Sequence, residues 1–164
     1  VTPWIQKLPW DVIDSVADEQ NIPASILAAI VQTESSGNRF AVRFEPHYKY
    51  LFQPKEHAQD NRITEATETV MQMTSWGLTQ VMGAVARELG LKGPIFQMLE
   101  PKVNLTYCAL LLKRLAKKYS QKDDLLAAYN AGSPIKGLDG KYKNQQYVDK
   151  VNGYLADLKA ASKG

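Results

Sequence analysis

Apolar residues recur at helical spacing along most of this chain, and the strict alternation of a half-buried strand is almost absent. That pattern confines the chain to a mainly α architecture. Val12, Ile13, Val16 and Ala17 mark a first helix, with Asp11 as its cap. Asn21-Ile22-Pro23 opens a second, which runs to about Glu34 and stops at Ser35-Ser36-Gly37. Residues 38–62 are rich in aromatics, charge and proline, and read as a long loop or irregular pieces, with a short hairpin possible in 40–52. A helix over about 64–73 follows, and Ser75-Trp76-Gly77 breaks it off from one that reaches Leu89 and ends at Gly90. Pro101 starts the longest helix, to about Tyr119, with Val103, Tyr107, Leu111 and Leu115 on one stripe. Asp123 caps a short helix ending at Ala131-Gly132, and a last helix covers about 144–158.

The 164 residues fit one domain, 1–164, large enough to bury a core without disulfides or metals. Cys108 is the one cysteine, so no intrachain disulfide forms, and its apolar surroundings suit an inert thiol. The net charge of +3 suits an anionic polymer, but basic residues alternate with acids, so nucleic acid is not an expected partner. The longest apolar run, Ile22–Val31, is too short to span a bilayer, so no stable membrane insertion is expected, and no targeting segment is visible. His47 and His57 form no metal motif, and neither a phosphate-binding glycine loop nor a Gly-x-Ser-x-Gly elbow is present. No metal or cofactor is called for, and the chain is expected to act as a monomer.

The chemistry gathers on the second helix. Ile26, Ile30 and Glu34 share one face, with Leu27 and Val31 beside them. Glu34 therefore continues an apolar stripe, and it stands at the helix end where the dipole disfavours negative charge. Both effects raise its pKa, and a carboxyl kept protonated near neutrality can donate a proton to a leaving oxygen. From helix position alone, a Glu turned out to solvent is the competing reading. Three more segments bear on the choice. Gly77-Leu78-Thr79-Gln80 offers a glycine for close backbone approach and an amide for a hydroxyl or acetamido group. Ala128-Tyr129-Asn130-Ala131-Gly132 puts a phenol at a helix end, and Tyr147-Val148-Asp149-Lys150-Val151 offers another on a helix. Taken singly, each phenol reads as packing. Trp4, Trp10 and Trp76 also read as packing, with Trp76 the best cleft candidate because it abuts Gly77.

In this order, Glu34-Ser35, Gly77–Gln80, Asn104 within 101–112, Ala128–Gly132 and Tyr147–Val151 resemble the soluble lytic transglycosylases, relatives of goose-type lysozyme. The resemblance covers about residues 10–155. It implies a lysozyme-like fold with a polysaccharide cleft, acting on peptidoglycan glycan strands in the periplasm or at the cell wall. It further implies cleavage of the β-1,4 bond between N-acetylmuramic acid and N-acetylglucosamine. Glu34 would protonate the bridging oxygen, then take the proton of the muramic 6-hydroxyl as it closes on C1 to give a 1,6-anhydro end. Ser35 would bond near the cleaved sugar or Glu34. Gly77, Leu78, Thr79, Gln80 and Asn130 would line the cleft, Tyr129 would orient Glu34 or the charged sugar centre, and Tyr147 would support the same wall.

The sequence departs from that family in four places. Thr79 replaces a Met, Gly83 stands where Pro is frequent, Cys108 stands where Gly is common, and the gap from Glu34 to Gly77 is about twice the usual length. The longer region, 39–74, holds Arg43-Phe44-Glu45-Pro46, which is similar to a segment of phage-associated members and suggests a phage-encoded enzyme. Glu45 either positions a water, making the enzyme a hydrolytic muramidase, or pairs with Arg43 and shapes the cleft; a plain surface role is the third option. Phe44, Tyr48, Tyr50 and Phe52 either stack on sugars or pack over the core. A wall-binding assembly component with secondary catalysis is the reading from a different class.

Overall fold

A computed structural model of the chain describes residues 2–163. The elements run α1 (Trp10–Gln20), α2 (Ala24–Ser35), β1 (Val42–Phe44), α3 (Pro54–Asn61), α4 (Glu65–Gln72), β2 (Thr74–Trp76), β3 (Val81–Met82), α5 (Gly83–Glu88), α6 (Pro101–Ala116), α7 (Lys122–Ala131) and α8 (Gln145–Ala161). Single 3-10 turns occupy Ile5–Lys7, Gly77–Thr79 and Ile95–Leu99. The mainly α expectation holds. The helix ends differ in detail: Pro9, not Asp11, caps α1, and Gln121, not Asp123, caps α7. Both acids lie in first turns instead, where the helix dipole favours them.

The core explains the helix order. α1 packs on α6 and α2 on α8, and α7 packs between α6 and α8. Ile13, Val16, Leu27, Ile30, Leu105, Cys108 and Leu112 fill the main core. Ala29, Leu126, Ala127, Val148 and Val151 form a second cluster between α2, α7 and α8. α2 thus lies between two apolar layers. Its residues 27–31 are all buried, so it is apolar nearly all round rather than on one stripe.

Region 38–62 is not a loop throughout. It contains β1 and α3, and no hairpin forms within 40–52. β1 instead pairs antiparallel with the distant β2, Val42 opposite Trp76 and Phe44 opposite Thr74; β3 completes a sheet of order β1-β2-β3. Helix α3 escapes the periodicity argument because it buries only His57 and Ala58.

Polar side chains hold this region. The Gln72 amide acts as a short strand: Nε2 donates to the Phe52 carbonyl at 2.9 Å and Oε1 accepts from the Phe52 N–H at 2.8 Å. Glu68 and Arg87 form a fully buried, two-pronged ion pair, at 2.8 and 3.0 Å. Nη1 of Arg87 donates to the Leu91 and Gly93 carbonyls, so the charge is satisfied as well as paired. Gly83 lies where α4 meets α5. A Cβ there would fall 2.2 Å from the Met71 carbonyl oxygen and 3.0 Å from the Gln72 Cα. α4 therefore packs where any side chain at 83 would stand.

Candidate active site

A cavity of about 600 Å³ opens between the sheet and the ends of α2 and α7. Glu34, Glu45, Gln80, Tyr129 and Asn130 line it, together with Arg43, Tyr48 and Tyr50 from the longer region. α2 delivers Glu34 from its last turn, which Ser36 closes in the left-handed conformation (φ 52°). Burial raises the Glu34 pKa to about 7, against smaller lowering effects from the Tyr147 hydroxyl and the charges of Lys150 and Arg43. A carboxyl near half-protonation at neutral pH can give a proton in one step and take one in the next.

Two phenols flank this acid. The Tyr129 hydroxyl donates to the Thr79 carbonyl at 2.8 Å and contacts Cys108 Sγ at 3.4 Å. Burial pushes its pKa well above the ordinary phenol value, with help from the Cys108 thiol, Tyr147 and Glu34. The Tyr147 hydroxyl stands close enough to Glu34 to feel its charge, and burial followed by that charge pushes its pKa upward. It has no partner in ordinary hydrogen-bond geometry among the described residues. Burial drives the Cys108 thiol up to about 12, so it is unreactive at neutral pH.

Ser35, Gly77, Leu78 and Thr79, expected to touch the sugar, build the wall rather than line the cavity, whereas Gln80 and Glu45 line it. Ser35 Oγ donates to the Leu78 carbonyl at 2.8 Å, tying α2 to the 77–79 turn. Gly77, Leu78 and Thr79 are buried. The glycine at 77 answers to packing: its φ is 67°, and a Cβ would meet Asn104 Nδ2 at 2.6 Å and the Met98 carbonyl oxygen at 2.7 Å. The Gln80 amide is engaged at both ends. Its Oε1 accepts from Ser75 Oγ at 2.9 Å, and its Nε2 donates to the Ala41 and Gly77 carbonyls at 3.0 and 2.9 Å. Glu45 pairs with Arg43 at 3.0 Å, both partly exposed. Trp76 is buried and donates to the Met71 carbonyl at 3.0 Å.

Of the four aromatics, Tyr48 and Tyr50 face the cavity, Phe44 is exposed on β1, and Phe52 is held by Gln72. Val81, Val85 and Leu111 also line the cavity. Sequence reasoning missed them because an apolar residue on a helix or strand reads as core whether it faces a cavity or not. No group of three potential metal ligands stands together, and no helix is long and apolar enough to cross a membrane, among the described residues.

A mainly helical fold places a partly buried carboxyl of raised pKa in an open cleft, an arrangement that suits general acid–base chemistry. The model of the transglycosylase SLT domain matches residues 11–152, and the chain belongs to that lysozyme-like family of peptidoglycan glycan-cleaving enzymes. No curated protein matches it.

Proposed function

We propose that the chain is a lytic transglycosylase that cuts the bond between N-acetylmuramic acid and N-acetylglucosamine and leaves 1,6-anhydromuramic ends. The observation that carries this reading is the Glu34 carboxyl, raised to about 7 by burial in the cleft. Protonated, it donates to the bridging oxygen as the C1–O bond breaks. The resulting carboxylate then takes the proton of the muramic 6-hydroxyl, whose oxygen closes on C1. One carboxyl serves both steps, unlike the two-carboxylate scheme of most glycosidases. Tyr129 and Tyr147 position the acid and the charged sugar, while Gln80 and Asn130 shape the wall. Such an enzyme works where glycan strands lie, in the periplasm or at the wall.

A second reading, a hydrolytic muramidase, is favoured by one observation: Glu45 lines the same cavity as Glu34. Against it, the Glu45 carboxylate is taken up by Arg43. Mass spectrometry of fragments from purified peptidoglycan separates the two, anhydro ends supporting transglycosylation and reducing muramic ends supporting hydrolysis. Glu34→Gln should abolish fragment release while preserving the helical circular-dichroism spectrum. A folded, active Glu34→Gln protein would remove Glu34 from the chemistry.

A further inference from the structure

Ser35, the residue after Glu34, and Tyr129 sit on different helices, yet both hang from adjacent carbonyls of one turn. Ser35, beside Glu34, donates to Leu78 O, and Tyr129 donates to Thr79 O, each at 2.8 Å. Asn104 of α6 holds that turn and is fully buried. Its Oδ1 accepts from the Thr79 N–H at 2.9 Å and from Thr79 Oγ1 at 2.6 Å. Its Nδ2 donates to the Trp76 and Met98 carbonyls at 2.7 and 2.8 Å, so the amide is saturated.

We infer that Thr79 is a positioning residue for the Glu34–Tyr129 pair, its hydroxyl locking the carbonyl that orients the Tyr129 phenol. The inference rests on the lytic reading above. A phenol has one proton, and a carbonyl only accepts, so the bond to Thr79 commits that proton to the turn. One oxygen lone pair then meets the Cys108 thiol, and the other is left to stabilise the positive charge that develops on a sugar ring as its bond breaks. The other protein contact of this hydroxyl, the Cys108 sulfur, is a weak partner that sets direction poorly. The placement of the Thr79 carbonyl therefore sets the angle of the phenol. The backbone N–H alone anchors the turn at one point, and the hydroxyl adds a second, shorter bond from the same residue to the same amide oxygen. The Thr79 side chain is completely buried and does not line the cavity, so its effect on a substrate passes through Tyr129.

A double-mutant cycle tests this, with kcat and KM measured on solubilised glycan strands. Thr79→Val keeps the shape and removes the hydroxyl. It should lower kcat about tenfold, the worth of one hydrogen bond, with KM nearly unchanged. In a Tyr129→Phe background the same change should cost less than about twofold, because the group it acts through is gone. Thr79→Ser, which keeps the hydroxyl, should restore most of the rate. If Thr79→Val does not fold, Thr79→Ala enters the same cycle. Additive losses, or a Thr79→Ser loss as large as that of Thr79→Val, would overturn the inference and leave Thr79 as packing. A wild-type protein that releases no fragments would overturn the lytic reading as well, so the two failures are distinguishable.

Discussion

Glu34 carries opposite demands. The burial that keeps it protonated for the proposed proton transfer makes its charged form a burden on the fold. Its pKa rises from 4.5 in the open chain to about 7 in the folded one. The folded state therefore holds the proton more tightly, and stability falls as pH rises through the window from 4.5 to about 7. Glu34→Gln removes that burden. At pH above 7 the variant should be more stable than wild type, by on the order of 2 kcal/mol once screening of the half-buried side chain is allowed for. At low pH the gain should vanish, and paired thermal melts at the two extremes measure the difference. Activity should respond to the same proton: fragment release should decline as pH climbs past about 7, where Glu34 loses the proton it must donate. A rate that keeps rising through that range would exclude Glu34 as the acid.

Region 39–74 meets the rest through the Glu68–Arg87 pair and the close approach of α4 to Gly83, so its elements have identifiable points of failure. Glu68→Gln leaves the Arg87 guanidinium buried without its counter-charge and should cost about 3–5 kcal/mol, read from urea unfolding. Gly83→Ala drives a methyl into the Met71 carbonyl and should cost about 3 kcal/mol or more, since backbone cannot step aside as a side chain can. These elements also mark where sequence reasoning stops. The long helices were legible because each buries a regular stripe. The Ile26-Ile30-Glu34 line points to a carboxyl on the core-facing stripe with a raised pKa; in the structure the pKa is raised but the side chain stays partly exposed at the cleft. α3 was illegible because two buried residues make no stripe, and β1 because its partner lies across two intervening helices. Both caps fail by one rule: an acid near a helix start reads as the cap when it sits inside the first turn. The 77–79 segment was legible as important but not in kind. Gly77 answers to Asn104 and Met98, a contact that no local pattern encodes.

Across the whole molecule, acid and base extremes act on different parts. His57 is buried against Phe52, its Nε2 has no partner among the described residues, and burial together with Arg87 lowers its pKa. Lys92 adds to that effect, and Glu68 and Asp60 oppose it. The open chain takes up a proton below the ordinary 6.5 while the folded chain resists it, so this group withdraws stability as pH falls below 6.5. Melting temperature should fall less steeply on acidification in His57→Asn than in wild type; equal slopes would show that His57 is neutral in its effect. The shared ledge at 77–79 has a further consequence. The lip of the cleft comes from β1 and the chain just after it, whereas the acid and the phenol are moored to a turn anchored on α6. Yet Arg43 of that lip also lowers the Glu34 pKa, so a change at the lip alters admission and reactivity together.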